Sequence, residues 1–128
     1  MSRKLDDLDP RFRPLAVELL ARTVEAGIVV LIVDTRRTLE EHQANVKAGR
    51  SWVARSKHCD GLAIDIVPYT VWDAHGPDKL NWDAGDPVWQ KLGALGEAAG
   101  CRWGGRWKHG HTDLGHFELP DADIGTRA

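Results

Sequence analysis

Cysteine is scarce in this chain: Cys59 and Cys101 are the only two in 128 residues. A small secreted scaffold stapled by disulfides carries more, so the two are read as buried free thiols. No apolar run approaches the roughly 20 residues that span a bilayer, and no stable membrane association is expected. The N-terminus, Met1-Ser2-Arg3-Lys4-Leu5-Asp6-Asp7, lacks the apolar stretch of a signal peptide, so synthesis and folding in a cytoplasm are expected. There is no basic block either. With 17 Lys and Arg against 19 Asp and Glu the net charge is −2, and a nucleic-acid partner is not expected.

What remains is one ordinary globular domain over residues 1–128, long enough to bury a core without staples. Pro14 suits a first helical turn, Val17, Leu20 and Val24 follow at helical spacing, and Gly27 closes that helix. The continuous run Ile28 to Val33 fits a buried strand, and Asp34 to Thr38 leave it. Leu39 to Ala48 form a short helix ended by Gly49. Leu62 to Val67 form a second strand that stops at Pro68. Residues 74–86 are loop-forming. Pro87 to Ala99 form a helix with Val88, Leu92 and Leu95 on one face, ended by Gly100. A final short strand centres on Phe117. Mixed helices and strands without a βαβ repeat predict an α+β fold.

Asp65 interrupts an apolar strand, which is costly unless the carboxylate is hydrogen-bonded, paired or bound to a metal. His58 lies seven residues earlier, on the entry to that strand through Gly61. Downstream, His116 and Glu118 share one face of the last strand and Phe117 the other. Gly115 is expected to give a tight turn before the histidine. Two histidines and one carboxylate make a three-ligand set that leaves a fourth zinc position open, as a catalytic site requires. Asp113, three residues before His116, is then free to act as a base.

These residues carry a family resemblance. Ser56-Lys57-His58 with Gly61, Ala63 and Asp65, then Asp113-x-x-His116-Phe117-Glu118, resembles the LAS-type zinc peptidases of the M15 group. That group includes D-Ala-D-Ala dipeptidases and carboxypeptidases, and phage endolysins that are L-alanyl-D-glutamate endopeptidases. The match is to S-x-H-x6-D and D/E-x-x-H in order, extends to Arg37-Thr38-Leu39-Glu40-Glu41 and Gly49-Arg50-Ser51-Trp52, and covers roughly residues 28–120. It implies a small antiparallel sheet with flanking helices, and one zinc ion held by His58, Asp65 and His116. It also implies Asp113 as the catalytic base and an arginine that steadies developing negative charge. Arg37 fits that arginine best, with Arg36 adjacent. One departure stands out: where relatives commonly have Gln, this chain has His42, with Gln43 next.

Glu118 is read as a partner of a metal-bound histidine rather than a ligand, and Ser56 as another residue close to the site. Trp103 and Trp107 either belong to the core or line a substrate groove. His75, His109 and His111 are expected on surface loops. The resemblance implies a monomer acting on the peptidoglycan stem peptide of the cell wall. If phage-encoded, it would be made in the host cytoplasm and released through a separate pore-forming protein. Three functions stay open: a wall endopeptidase, an exopeptidase of the same chemistry, and a zinc-binding module without catalysis.

Overall fold

The computed structural model describes residues 2–49, 56–69, 79–108 and 110–124. Arg50, Ser51, Trp52, Trp72, His75 and His109 lie outside the described residues.

Helix α1 spans Arg13–Glu25 and α2 spans Leu39–Lys47. Helix α3 spans Val88–Ala98, and a short α4 spans Asp121–Ile124. The strands are β1 (Val30–Asp34), β2 (Ala63–Pro68), β3 (Arg102–Trp103) and β4 (His116–Glu118). They form one antiparallel sheet in the order β1-β2-β4-β3. The α+β expectation of an antiparallel sheet with flanking helices holds.

Helix α2 starts where Thr38 supplies a capping box: its hydroxyl accepts from the Glu41 N–H, and Glu41 accepts from the Thr38 N–H, both at 3.1 Å. Two orphan donors are satisfied reciprocally. Gly27, Gly49 and Gly100 all have positive φ where the sequence predicts helix ends.

The inward face of α1 differs from the expected one. Ala16, Leu19 and Thr23 are buried behind Phe12, whereas Val17 and Val24 are 50% and 76% exposed. Small Ala16 lets the helix approach the core closely, and the valines occupy the opposite arc. On α3 the buried residues are Trp89, Leu92, Gly93 and Gly96, with Leu95 only partly buried. A methyl on Gly96 would lie 2.2 Å from the Phe117 ring, so the missing side chain allows α3 to rest on β4.

The Ile28–Val33 run, expected as a buried strand, is strand from Val30 onward and is only partly buried. Its ordered part, β1, is an edge strand, and Val29 and Leu31 are exposed. The central position belongs to β2, whose Ile64, Ile66 and Val67 are fully buried. Together with Phe12, Leu19, Trp89, Leu92, Trp103 and Phe117 they form the core. Burying a side chain of this size stabilises by roughly 1.5–3 kcal/mol. Pro68, expected to stop β2, is its last residue. Asp34, expected to lie beyond β1, is the last residue of that strand.

The register between strands positions everything that follows. Ile32 pairs with Ile66, but a bulge then brings Asp34, not Val33, opposite Asp65. Asp65 in turn pairs with His116 on β4. Cross-strand partners face the same side of a sheet. Asp34, Asp65 and His116 therefore form a row across three strands. Residues preceding the first helix add to this edge: the Ser2 N–H donates to the Arg36 carbonyl at 2.9 Å, and the Thr35 N–H donates to the Ser2 carbonyl at 2.8 Å.

Candidate metal centre

His58 sits on a single 3₁₀ turn, Lys57–Asp60, started by Ser56, whose hydroxyl accepts the His58 N–H at 3.2 Å. Gly61 ends the turn at φ 71°. A side chain is strained in that conformation, and a Cβ there would meet the Asp9 backbone nitrogen at 2.8 Å. The chain thus reverses into β2 with His58 facing Asp65. Ser56 shapes this turn; it is buried.

The functional atoms of His58, Asp65 and His116 all lie within 4.8 Å of one another. His58 Nε2 is 3.2 Å from Asp65 Oδ2, and His116 Nδ1 is 3.0 Å from Asp65 Oδ1. Both histidines are nearly inaccessible. Each ring is oriented through its other nitrogen. His58 Nδ1 lies 3.0 Å from the Thr35 carbonyl, an acceptor only, so Nδ1 donates there and Nε2 is turned toward Asp65. That Nε2 is buried, with no hydrogen bond to it among the described residues. His116 Nε2 lies 2.8 Å from Glu118 Oε1, leaving Nδ1 toward Asp65. Imidazoles oriented by a carbonyl and a carboxylate are the usual surroundings of metal-binding histidines.

The donor set fits zinc. A tetrahedral ion with bonds of about 2.0–2.2 Å holds its ligand atoms about 3.3–3.6 Å apart; the two histidine–carboxylate separations, 3.0 and 3.2 Å, are slightly shorter, and all three ligand atoms lie within 4.8 Å. Two imidazole nitrogens and one carboxylate are donor types that zinc takes at a catalytic centre.

Charge in the cluster is strongly coupled. Burial alone would raise the Asp65 pKa, but the positive charge of His58 and the hydrogen bond to His116 outweigh it and hold the carboxyl well below its usual range. Burial likewise opposes protonation of His116, yet its bonds to Asp65 and Glu118 raise it to about 9. Glu118 is lowered: burial opposes this, and bonds from His116 and Lys57 outweigh it.

A pH dependence of metal uptake follows. The His116 pKa is raised above its ordinary 6.5. Its proton therefore stabilises the metal-stripped fold fully below about pH 6.5, and that contribution is lost as pH rises through about 9. A metal taken up at the His116 ring would have to displace this proton. Zinc affinity of chelator-stripped protein is expected to rise up to about tenfold per pH unit across this window, with close to one proton released per ion near neutrality. Calorimetry in buffers of different ionisation enthalpy measures the release.

Arg37, rather than Arg36, stands beside Asp65. Its Nη2 and Nε lie 2.6 and 3.0 Å from Asp34 Oδ2, and Nη2 is 3.9 Å from Asp65 Oδ2. Arg36 is exposed, and both arginines border a groove with Ser2, Asp7 and Glu41. Asp113 lies in the exposed turn before β4. Its N–H donates to the Gly104 carbonyl at 3.0 Å, and the Gly115 N–H donates to its carboxylate. Its pKa is raised, by burial of the carboxyl against protein and then by the charge of Asp65.

The tight turn expected before His116 is present, closed by the His116 N–H donating to the Asp113 carbonyl at 3.3 Å, but Gly115 serves it through close packing. Its φ is not positive; instead a Cβ there would lie 2.5 Å from the Ile66 carbonyl oxygen. What the site needs is close approach of the turn to β2. Trp103 is no groove wall. It pairs with Phe117, is 2% exposed, and its indole N–H donates to the Leu114 carbonyl at 2.8 Å. Trp107 is half-buried with its ring 4.8 Å from that of His116. His42 is fully buried in α2, whereas His111 is exposed. Cys59 and Cys101 are buried free thiols, and burial pushes the Cys101 thiol up to about 12.

Sequence reasoning missed Asp34, Thr35 and Lys57. Asp34 ends an apolar run, but its place in the run does not reveal the face it takes. Thr35 acts only through its backbone carbonyl, and no side-chain pattern reveals that.

Residues 49–119 match the profile of a peptidase M15 family described as D-alanyl-D-alanine carboxypeptidase. That span holds His58, Asp65, Asp113, His116 and Glu118, while Arg37 precedes it. The chain is 36% identical over 115 residues to the L-alanyl-D-glutamate peptidase of Listeria phage A118, covering 87% of this chain and 37% of the phage protein. It is 30% identical over 127 residues to the peptidoglycan L-alanyl-D-glutamate endopeptidase CwlK of Bacillus subtilis, covering 88% of this chain and 74% of that protein. The chain thus spans little more than a third of the phage relative and about three quarters of the Bacillus one. Its fold is similar to the crystal structure of the Serratia marcescens L-Ala D-Glu endopeptidase ChiX, with a TM-score of 0.75 at 21% identity over 94% of this chain and 86% of that one. With the fold, the profile and the Bacillus relative in agreement, the chain belongs to the M15 peptidase family.

Proposed function

We propose that this protein is a zinc-dependent peptidoglycan endopeptidase that hydrolyses the bond between L-alanine and D-glutamate in the stem peptide. The observation that carries the reading is the convergence of His58 Nε2, His116 Nδ1 and Asp65, with each histidine's second nitrogen already committed. In this reading His58, Asp65 and His116 hold the ion. Bound there, zinc supplies a water of pKa near 7 and a Lewis acid for the carbonyl.

The chain's own residues do the rest. Asp113 takes the proton of the attacking water and passes it to the leaving amine. Its raised pKa makes it a stronger base than an ordinary carboxylate. Arg37, anchored by two bonds to Asp34, directs a cation toward the oxygen where negative charge develops. Trp107 lies against His116 and offers a flat wall to the substrate. A purely structural zinc site has no use for a base at Asp113, which argues against a silent module.

The choice of bond rests on what surrounds the metal. Release of a chain end requires a cation to receive the terminal carboxylate. Arg106, the cation nearest the glycine pair, is instead bound to Glu97 at 2.9 Å. Two relatives named for L-alanyl-D-glutamate cleavage favour the internal bond. No described helix is long and apolar enough to cross a membrane; on the likeness to a phage L-alanyl-D-glutamate peptidase, passage to the wall is assigned to a separate pore-forming protein.

Digestion of purified peptidoglycan followed by sequencing of the new amino termini is the test. New D-glutamyl or D-isoglutaminyl termini are expected. Free D-alanine or the D-Ala-D-Ala dipeptide as main product overturns the endopeptidase assignment in favour of the exopeptidase one.

A further inference from the structure

Glu118 orients His116, and Glu118 is itself held. Lys57, the residue before His58, reaches from its 3₁₀ turn to the end of β4. Its ammonium lies 2.7 Å from Glu118 Oε2, 2.7 Å from Asp121 Oδ1 and 2.6 Å from the Leu119 carbonyl. An ammonium has three N–H donors, and all three are matched. The two carboxylates it meets are unlike: the Glu118 side chain is 7% exposed and that of Asp121 74%. The contact with Asp121 is a surface pair, worth little. The contact with Glu118 is nearly dry.

The two oxygens of Glu118 therefore have divided tasks. Oε1 meets His116 Nε2 and Oε2 meets Lys57. Held at one oxygen, the carboxylate could swing with its ring partner; held at both, it is fixed. Arg102 is the other cation nearby, but at 3.9 Å from Oε2 and half-exposed it does not make this bond.

We propose that Lys57 is a positioning residue of the metal centre: by fixing Glu118 it fixes the His116 ring with Nδ1 turned toward Asp65, and metal affinity depends on it. The proposal rests on His116 being a metal ligand, as above. One turn then serves both histidines, carrying His58 itself and, one residue earlier, the anchor of the other ring. A structural role alone, tying the turn to residues 119–121, would affect stability without touching the metal.

A double-mutant cycle separates the two. Zinc dissociation constants are measured by competition with a chromophoric chelator for wild type, Lys57→Met, Glu118→Gln and the double variant, alongside visible spectra of the cobalt-substituted proteins. Each single variant is expected to weaken zinc binding about 10–100-fold and to alter the cobalt spectrum. Because both act on one ring, the double variant should bind within about twofold of Glu118→Gln alone. Lys57→Arg should restore much of the loss. Wild-type affinity in Lys57→Met, or losses that multiply in the double variant, overturns the relay. Should Lys57→Met fail to fold, Lys57→Gln takes its place in the same cycle and is read the same way. A wild type that binds no zinc overturns the metal reading itself, a separate failure from the relay's.

Discussion

Asp113→Asn is expected to lower peptidoglycan hydrolysis about 10²–10⁴-fold while leaving fold and zinc content unchanged. That range corresponds to about 3–5 kcal/mol of lost transition-state stabilisation. The amide keeps the size of the carboxylate and can still accept the Gly115 N–H, so the turn ahead of β4 should persist. It cannot take up a proton. Asp113 also lies outside the ligand set, which lets chemistry be separated from metal binding. Glu118 is the alternative base, and the geometry speaks against it: both oxygens are committed, one to His116 and one to Lys57, and the side chain is buried. Steady-state rates on purified wall material, with metal analysis of the same samples, decide the matter. Near-normal turnover in Asp113→Asn would assign the base elsewhere.

Removing either histidine is expected to abolish metal binding altogether. In His58→Ala or His116→Ala, two donors remain of three, and zinc should fall from one per chain to trace levels after dialysis, with activity lost in parallel. The two variants should differ in the metal-stripped state. His116 bridges Asp65 and Glu118, so its loss leaves two carboxylates facing a void. His58 lies farther from its carboxylates, 3.2 Å from Asp65 and 3.9 Å from Asp34. His116→Ala should therefore be the less stable, most clearly below about pH 9, where His116 carries its proton in the metal-stripped fold. Elemental analysis and thermal melts read the two effects. Full zinc in both variants would dismiss the ligand set.

How much of this the sequence reveals depends on whether a feature is local. Asp65, His116 and Glu118 are legible because strand alternation assigns each to a face. His58 is legible because its spacing to Asp65 forms a motif. Asp34 is hidden by the bulge after Ile32, which shifts the register by one residue. Strict alternation from Ile32 would have put Val33 opposite Asp65. For Trp103 the sequence left core and groove both open; pairing with Phe117 puts it on the core side, opposite His116. The continuous apolar run Ile28–Val33 has no period, so nothing in it distinguishes a central strand from the edge strand observed. On α1, valines outrank alanine in hydrophobicity, yet Ala16 faces inward because the helix must come close.

The backbone pairing of Ser2 with Thr35 and Arg36 has a thermodynamic consequence. Both hydrogen bonds flank the carbonyl that orients the His58 ring. Fraying of residues 2–4 is therefore expected to disturb the alignment of His58, and linkage would make that coupling reciprocal. An ion bound at His58 favours the closed arrangement and slows exchange of the Ser2 and Thr35 amide protons, far along the chain from Asp65 and His116. A bulky fusion placed directly before Ser2 acts in the opposite sense, competing for the same edge and loosening the ion.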